Sequence, residues 1–400
     1  MAALPPLAGI RVADFSRVLA GPYATMMLAD FGADVIKIEP PAGDDTRAWA
    51  PPRDAYGDST YFASVNRNKR SIVCDLTTDA GLREARRLAS SADVVIENFR
   101  PGVMERFGLD FETVRDANPG VVYCSITGFG DGAGATLPGY DLLVQAVGGL
   151  MSVTGPADGE PSKVGVALVD VLTGLNAFSG ILLALRSRDR DDGDGAGGGG
   201  SRARRGSRVR VDLLSSLLSA LVNQASGTLA TGVSPKRLGN AHPSIAPYEV
   251  FHAADGELVV AVGNDRQFAA LAAELGMPVE TRFATNPQRV AARHDLHDEL
   301  ERRFAAAPAA QWAARLNAVG VPAGLVNTVG EAIEFAQALG LDPTVTIEDD
   351  DRSGRFIADP VRIDSAPPSY RSMPPRLGAD AGADWWPRAD PASTTNEGLS

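Results

Sequence analysis

Cysteine and histidine are both scarce in this chain of 400 residues, which contains two cysteines and four histidines. Cys74 and Cys124 cannot build a disulfide framework, and both stand in apolar stretches where a small core residue is the simplest interpretation. His294 and His297 lie within the charged segment RHDLHDELERR, which is more typical of a solvated helix than of a metal site. The sequence therefore predicts neither a disulfide-stabilised fold nor a bound metal.

Positive charge is also in deficit, because 38 Lys and Arg face 50 Asp and Glu and the formal net charge is −12. Such a surface repels nucleic acid and anionic membranes, so an anionic ligand needs local cations or helix N-termini. No apolar run approaches the roughly 20 residues that span a bilayer, and the start MAALPPLAGIRV lacks the regions of a signal peptide. We expect a cytoplasmic protein that binds a small molecule, with neither nucleic acid nor a membrane as partner.

The first 130 residues alternate short β-branched runs with longer helical stretches, beginning with IRVADFS, AGPYATMMLADFGA and DVIKIE. This alternation is typical of βαβ units and a parallel sheet, so the predicted fold class is α/β. Two long apolar helices are predicted at 171–188 and 209–232, with a Gly-rich loop between them. From about residue 240 the pattern changes to that of a compact α+β unit, which predicts a second domain.

Two glycine-rich segments match phosphate-binding loops only in part. The run Gly197–Gly200 lacks the Lys-Ser/Thr and the preceding strand that a P-loop needs. The segment Gly128–Ala133 fits G-x-G-x-x-A after a strand, but Pro138 lies where the helix should run and no acidic residue follows at the distance expected for a ribose contact. Both are predicted to be ordinary loops. His242, in GNAHPSIAPYEVF, is held by neighbouring glycine and prolines, and it can serve either as a site wall or as a hinge.

A single carboxylate, Asp170, interrupts the apolar segment PSKVGVALVDVLTGLNAFSG directly before a long predicted helix. Asp170 can be the N-cap of that helix, or it can be a reactive carboxylate in an apolar setting. The two roles are compatible, because a helix N-terminus supplies N–H groups and a positive potential that hold a nucleophilic carboxylate ionised or steady an oxyanion. The residue pattern leaves both roles open.

Long motifs from Leu7 to about Gly378 resemble those of the class III CoA-transferases of the CaiB/BaiF type. They include DFSRVLAGPYATMMLADFGADVIKIEPPAGDDTR, YFASVNRNKRSI, ENFRPGVMERFGL, SITGFG, PGYDLLVQAVGGLMSVTG, GVALVDVLTG and GNAHPSIAPYEVF. The resemblance implies an enzyme that moves coenzyme A between carboxylic acids, with a CoA thioester as substrate and no permanently bound cofactor. It also implies an interlocked homodimer.

The fold implied by the resemblance is a Rossmann-like large domain, whose parallel sheet is built from both chain ends, with a smaller α+β domain. Together with the composition, it divides the chain into six parts: the N-terminal part of the large CoA-binding domain at 1–190, a flexible Gly-rich loop at 191–208, a long helix and linker at 209–234, the small α+β domain at 235–330, a linker returning to the large domain at 331–380, and a disordered tail at 381–400.

The resemblance implies that Asp170 is the nucleophile. The other implied site residues contact coenzyme A or, in one case, lie near the acyl group: Val18, Leu19, Ala20, Cys74, Asn98, Phe99, Arg106 and, near the acyl group, Tyr140. Lys69, Arg70 and Arg100 add positive charge within the same motifs, although surface charge explains each of them equally well.

The sequence does not decide which residues fill two roles in the site. The oxyanion of a tetrahedral intermediate needs backbone N–H donors, and these can come from Ala20–Gly21 or from Gly239–Ala241. The distal carboxylate of a dicarboxylate substrate needs a cation, and Arg47, Arg67 and Arg70 are equal candidates.

Departures from the family motifs bear on the substrate. Racemase relatives have histidine where this chain has Tyr140, and racemisation needs two acid–base groups, for which tyrosine is a much weaker acid than histidine. Formyl-CoA transferase has glutamine in place of Leu19, so oxalate and formate are poor guesses.

The segments DDTRAWAPP and VTGPADGEPSKVGVALVD resemble the succinyl-CoA:glutarate branch, so we expect succinyl-CoA as donor and a dicarboxylate as acceptor. The alternatives are an acyl-CoA racemase or epimerase of the same superfamily and a CoA-binding protein without turnover.

Overall fold

The computed structural model describes residues 4–191, 205–278, 280–349 and 351–388. The chain forms two compact units: the first comprises Met1–Gly148, Gly165–Ala225 and Asp342–Ser400, and the second comprises Gly149–Val164 and Ser226–Leu341. The second unit therefore extends beyond the predicted small domain of 235–330 at both ends. It also takes in a short segment that directly precedes the GVALVD motif.

The first unit is built on a parallel sheet whose strands are rich in valine and isoleucine and are mostly buried, as expected for strands covered on both faces. The strands are β1 (Arg11–Asp14), β2 (Asp34–Glu39), β3 (Lys69–Val73), β4 (Val94–Glu97), β5 (Val122–Thr127) and β6 (Arg208–Asp212). Their order is β3-β2-β1-β4-β5-β6, and every neighbouring pair is parallel. This is the doubly-wound order of dinucleotide-binding folds, so the predicted α/β class with a parallel sheet is confirmed.

Two predictions about this sheet are wrong. Among the described residues its strands all lie between Arg11 and Asp212, so the C-terminal end of the chain does not extend it. The long helix predicted from 209 begins instead with strand β6, because alternating Val209 and Val211 favour an extended backbone and β5 offers a parallel partner. The helix starts only after Asp212, whose side chain accepts a hydrogen bond from Ser215 N (2.7 Å) and caps it.

The helices up to residue 231 follow the strands in chain order: α1 (Ala20–Asp30), α2 (Thr60–Ala63), α3 (Asp79–Ser91), α4 (Val103–Arg106), α5 (Phe111–Ala117), α6 (Asp141–Val147), α7 (Leu150–Val153), α8 (Leu168–Asp191), α9 (Leu213–Ala220) and α10 (Val222–Thr231). By length and mean hydropathy alone, α8 is apolar enough to cross a bilayer. The sequence predicts no apolar run of that length, so this property of α8 differs from the prediction. Its contacts with α1, α9, β5 and β6, and the buried stripe of Ala177, Ile181 and Leu185, are those of a core helix.

The C-terminal segment packs along the edge strand β3. It contains the antiparallel pair β10 (Thr344–Glu348) and β11 (Ser353–Ile357). Ser71 N donates to Asp380 Oδ2 (2.8 Å) and Asp380 N donates to Ser71 O (3.0 Å), so backbone groups that an edge strand leaves open are satisfied. Trp385 is buried in the core, and its Nε1 donates to Ser91 Oγ (2.8 Å).

The predicted disorder of 381–400 is therefore wrong for 381–388, because Trp385 and Trp386 supply apolar surface that the polar composition of the last residues hides. The rest of that tail, 389–400, and most of the predicted Gly-rich loop, 192–204, lie outside the described residues.

The second unit is a separate α+β structure with its own hydrophobic core. Its antiparallel sheet has the order β7 (Tyr248–His252), β8 (Glu257–Ala261) and β9 (Ala323–Leu325). Its later helices are α11 (Asp265–Glu274), α12 (Asn286–Ala291), α13 (Arg293–Phe304), α14 (Ala309–Ala318) and α15 (Val329–Ala338). All four histidines belong to this unit: His294 and His297 lie on α13, and the His242 ring packs 5.4 Å from that of Tyr248.

Candidate active site

A cavity of about 400 Å³ opens at the carboxyl ends of the strands in the first unit. Its lining comes from segments that follow five strands and from Asp170 on α8. These segments are Arg17–Ala20 after β1, Asp45 after β2, Asn98–Pro101 and Val103 after β4, Ile126–Gly130, Gly134, Ala135 and Leu137–Tyr140 at and after the end of β5, and Leu213 after β6. The strand order reverses between β1 and β4, and ligands of open α/β sheets bind at this position. The topology therefore marks this cavity as the principal candidate site.

The loop after β1 is tied to the loop after β4. Arg17 N donates to Asn98 Oδ1 (2.8 Å), and Asn98 Nδ2 donates to Arg17 O (2.7 Å). Val18 has φ +69°, a left-handed backbone that a β-branched residue rarely adopts and that costs about 1–3 kcal/mol. Surrounding contacts must hold this conformation in place.

Four fully buried charged side chains lie beneath the loop after β1, and we call Asp14, Lys37, Asp44 and Lys69 the buried ion network. Lys37 Nζ lies 2.9 Å from Asp44 Oδ2 and Lys69 Nζ lies 3.2 Å from Asp14 Oδ2. Val18 N donates to Asp44 Oδ2 (3.2 Å), and Lys37 Nζ donates to Ser16 O (2.8 Å), so the network holds the strained loop from below.

The network keeps its acids ionised. Burial alone would raise the pKa of Asp14, but the charges of Lys69 and Lys37 outweigh it and the pKa is lowered. The pKa of Asp44 is lowered against burial in the same way by Lys37. Burial lowers the pKa of Lys69 to about 8, and the charge of Asp14 opposes that fall.

Asp170 has the opposite environment. It is the third residue of α8, and its pKa is raised to about 7 by burial and then by the negative charge of Asp141. Within the part of the chain that the structure describes, no lysine or arginine forms an ion pair with Asp170. Val171, the next residue in the chain, packs against an apolar cluster that includes Leu19 and Val65.

The N-cap role considered for Asp170 is wrong. The helix begins at Leu168, so Asp170 lies inside the first turn. The capping acceptor is Asp141, whose Oδ1 accepts from Val169 N (2.8 Å) and from Asp170 N (3.3 Å). Because another carboxylate caps the helix, the side chain of Asp170 is available to line the cavity.

A second helix begins at the same cavity. Helix α1 starts at Ala20, and its N-cap residue Leu19 supplies no side-chain cap. Val18, Leu19 and Ala20 all line the cavity, so the positive end of the α1 dipole lies at its wall. Of the alternative oxyanion donors, Gly239 N donates to Gly155 O and Ala241 N donates to Leu238 O within the second unit.

The other predicted site residues divide into two sets. Asn98, Phe99 and Tyr140 line the cavity together with Val18, Leu19, Ala20 and Asp170. The side chain of Cys74 is buried in the core, and burial raises the pKa of its thiol to about 11. Arg106 is exposed at the end of α4 and, like Cys74, lies outside this lining.

The three arginines proposed for a distal carboxylate already have carboxylate partners. Arg47 pairs with Glu39, Arg67 with Asp30 and Arg70 with Asp34, each at 2.6 Å. Lys69 likewise belongs to the buried ion network. The cations of the cavity lining are Arg17 and Arg100, and the Arg17 guanidinium lies 4.8 Å from the centre of the Phe99 ring.

Three further residues, Arg17, Asp141 and Tyr61, lie at or near the site but are not among those that the sequence motifs predict. Arg17 could have been found from its place directly after the first strand, and Asp141 from its place beside Tyr140 in the PGYD motif. Burial raises the pKa of Tyr61 to about 12, with the charges of Asp170, Asp141 and Asp44 adding to the effect. The Tyr61 ring packs edge-on against Trp49 at 4.9 Å, so an aromatic pair lies near the candidate nucleophile.

The comparisons with known proteins agree with one another. The sequence matches CoA-transferase family III over residues 7–381. It is 42% identical over 392 residues to the succinate–glutarate CoA-transferase of Agrobacterium fabrum, which covers 94% of this chain and 93% of that protein. It is 39% identical over 341 residues to human succinyl-CoA:glutarate CoA-transferase, covering 84% and 75%. The crystal structure of a CAIB/BAIF family protein from Brucella suis superimposes with a TM-score of 0.82 at 41% identity, covering 94% and 97%.

The match extends over both units and includes every segment that lines the cavity. The family resemblance of the sequence motifs is thereby confirmed, including the branch of succinyl-CoA:glutarate CoA-transferases as similar proteins. The chain belongs to CoA-transferase family III and is a CoA-transferase.

Proposed function

We propose that this CoA-transferase moves CoA from succinyl-CoA to a dicarboxylate such as glutarate, with Asp170 as the nucleophile. The observation that carries the proposal is the position of the Asp170 carboxylate, which lines the cavity at the strand-order reversal and forms no ion pair with a lysine or arginine among the described residues. Burial and the charge of Asp141 raise its pKa to about 7. Raised basicity increases the nucleophilicity of the ionised form, and the group is still substantially ionised at neutral pH.

The exchange of one thioester for another needs no external energy source, only a covalent carrier that divides the transfer into easier steps. Asp170 attacks the thioester carbonyl, forms a mixed anhydride and releases the CoA thiolate. The thiolate then attacks the aspartyl carbonyl and expels the donor acid, which leaves CoA on Asp170 as a thioester. The acceptor acid reverses these two steps.

Other parts of the cavity suit the remaining requirements of the reaction. The uncapped start of α1 offers backbone N–H groups and positive potential to an oxyanion. Arg17 and Arg100 supply cations for the phosphates of CoA or for a substrate carboxylate. Val18, Leu19, Ala20, Asn98, Phe99 and Tyr140 then bind the rest of the thioester substrate. The choice of dicarboxylates rests on the similarity to the relatives from Agrobacterium fabrum and human.

Trapping of the covalent intermediate tests this function. Wild-type protein is incubated with succinyl-CoA, treated with hydroxylamine or borohydride, digested and examined by peptide mass spectrometry. We expect a modification at Asp170, and none in Asp170→Asn protein that still binds CoA. An unmodified Asp170 in protein that transfers CoA would contradict the covalent role. A panel of mono- and dicarboxylate acceptors then tests the substrate class.

We also propose the interlocked homodimer. Helix α15 has no buried residue, and Val329 and Phe335 are 80% and 58% exposed, which is a large apolar surface for a lone chain. Mixing two differently tagged populations under native conditions tests the threading. We expect no mixed dimers after hours, because separating linked chains requires extensive unfolding; exchange within minutes would contradict the linked arrangement.

A further inference from the structure

The carboxylate of Asp141 is bonded to the start of α8, and the proposed transfer gives this contact no role. Its Oδ1 accepts from the backbone N–H groups of Val169 (2.8 Å) and Asp170 (3.3 Å), and its Oδ2 accepts from Gln145 Nε2 (2.6 Å). Asp141 therefore caps α8 from a position 28 residues before Val169. It fixes the backbone of the residue whose side chain lines the cavity.

Capping alone does not require a charge at this position. Asn or Ser also accept hydrogen bonds at helix starts, so a neutral side chain would serve. A carboxylate adds a second negative charge beside Asp170 at a site largely removed from water. The other charged or titratable groups around Asp170 come from the cavity lining and from α2: Arg17, Arg100, Asp45, Tyr140 and Tyr61.

We propose that Asp141 is a positioning residue that holds Asp170 at the start of α8 and, through its own negative charge, favours the forward step of the mixed anhydride. This inference rests on the proposed role of Asp170 as nucleophile.

The forward step depends on which carboxylate leaves. After Asp170 has attacked the thioester, the released CoA thiolate faces two carbonyls of the anhydride. Attack at the acyl carbonyl expels Asp170 and returns the starting thioester, whereas attack at the aspartyl carbonyl expels the free acid and forms the aspartyl thioester. Burial and Asp141 raise the pKa of Asp170 to about 7, above the value near 4 of ordinary carboxylic acids. The free acid is thus the better leaving group, and the thiolate is directed forward.

Asp141→Asn separates charge from capping, because Asn keeps an acceptor for the N–H groups of α8 and removes the charge. Rapid quenching with succinyl-CoA gives the rate of aspartyl thioester formation from about pH 5 to about pH 9. The wild-type rate is expected to fall below a midpoint near pH 7. In the variant the midpoint should fall by about one pH unit or more, and the rate at high pH should drop about tenfold.

Asp131→Asn is the matched control. Asp131 is a half-exposed acid on the loop after β5, and it pairs with Arg210 of β6. It should reproduce the wild-type profile. Asp141→Ala removes the acceptor as well as the charge and should be slower than Asp141→Asn at every pH. Superimposable profiles for wild type and Asp141→Asn would overturn the charge effect, and equal rates for the Asn and Ala variants would overturn the capping role.

A second measurement is independent of CoA transfer. A water-soluble carbodiimide with glycine amide modifies protonated carboxyl groups, and peptide mass spectrometry gives the modified fraction of Asp170 against pH. The midpoint should again be lower in Asp141→Asn, and an unchanged midpoint overturns the proposal. If wild type forms no thioester but the midpoint still shifts, the proposed function and the forward-step role both fail, whereas the effect of the Asp141 charge on the titration of Asp170 stands.

Should Asp141→Asn not fold, Asp141→Glu replaces it in both measurements. Glu keeps the charge and displaces the acceptor, so the carbodiimide midpoint should stay near that of wild type while thioester formation slows. A wild-type rate in this variant would overturn the positioning role.

Discussion

Two groups of desolvated carboxylates in the first unit have opposite surroundings. In the buried ion network, Asp14 and Asp44 lie 3.2 and 2.9 Å from lysine ammonium groups, and their pKa values are lowered even though burial opposes this. At the start of α8, Asp170 has Asp141 beside it, and its pKa is raised to about 7. The same residue type is firmly ionised in one place and close to its titration point in the other.

The difference between the two groups lies in charge compensation rather than in burial. A buried acid paired with a cation is unreactive at neutral pH and supports structure, here the strained loop at Val18. A buried acid without a cation destabilises the folded state when ionised, and sites of this kind are common among catalytic residues. The comparison therefore predicts which acids can be removed with loss of stability and which with loss of activity.

Asp170→Asn should have the largest effect on activity, a loss of about 1,000-fold or more in CoA transfer, because the covalent carrier is removed. The same substitution should increase the stability of the folded protein at high pH. A raised pKa in the folded protein means that stability is full below the unfolded value near 4 and is lost as the pH rises through about 7. Urea unfolding should therefore show the variant more stable than wild type by about 1 kcal/mol at pH 8. Equal stability there would break the comparison.

Lys69→Met should have the largest effect on stability, because it leaves Asp14 buried without its cation. We expect the free energy of unfolding to fall by about 3–5 kcal/mol in urea titrations at neutral pH. Lys236→Met, at an exposed lysine, is the control and should stay within about 0.5 kcal/mol of wild type. A loss below about 1 kcal/mol for Lys69→Met would show that the network does not depend on its charges.

Glu97→Gln should have a smaller effect and tests whether the comparison extends beyond these two groups. Glu97 is buried at the end of β4, and burial raises its pKa to about 7, while a hydrogen bond from Phe99 N (2.9 Å) opposes the rise. Gln keeps the acceptor, so the variant should be more stable by about 1 kcal/mol at pH 8 and equal to wild type near pH 4. Thermal unfolding at the two pH values measures this, with CoA transfer expected to stay within about twofold of wild type.

The parts of the fold that could be predicted from sequence are those encoded by neighbouring residues. The alternation of β-branched runs and helices specifies the parallel sheet. The lone carboxylate of an apolar segment singles out Asp170 as a candidate, although the helix begins at Leu168 and not after Asp170. The predicted helix from 209 failed because Val209 and Val211 suit a strand only when β5 lies beside them. Short apolar segments do not by themselves distinguish the two structures.

The parts of the candidate site that escaped prediction depend on residues far apart in the chain. The sequence predicts Arg67 as a candidate cation for a substrate carboxylate, but in the fold Arg67 pairs with Asp30, 37 residues away in the chain. Asp141 likewise acts on α8 through a contact that no local motif encodes. A sequence shows which charged groups exist, whereas their pairing, and hence their reactivity, is decided by the fold.

The closure of β3 by Asp380 also determines when the first unit can be completed during synthesis. The hydrogen-bond partner of Ser71, Asp380, is synthesised 309 residues later. At ribosomal rates of about 5–20 residues per second, the interval between the two is roughly 15–60 s. During that time the edge of the nascent sheet is open to pairing with other chains. The contact between Asp380 and Ser71 therefore forms late in synthesis, and this edge of the sheet is protected from association only after Asp380 has emerged from the ribosome.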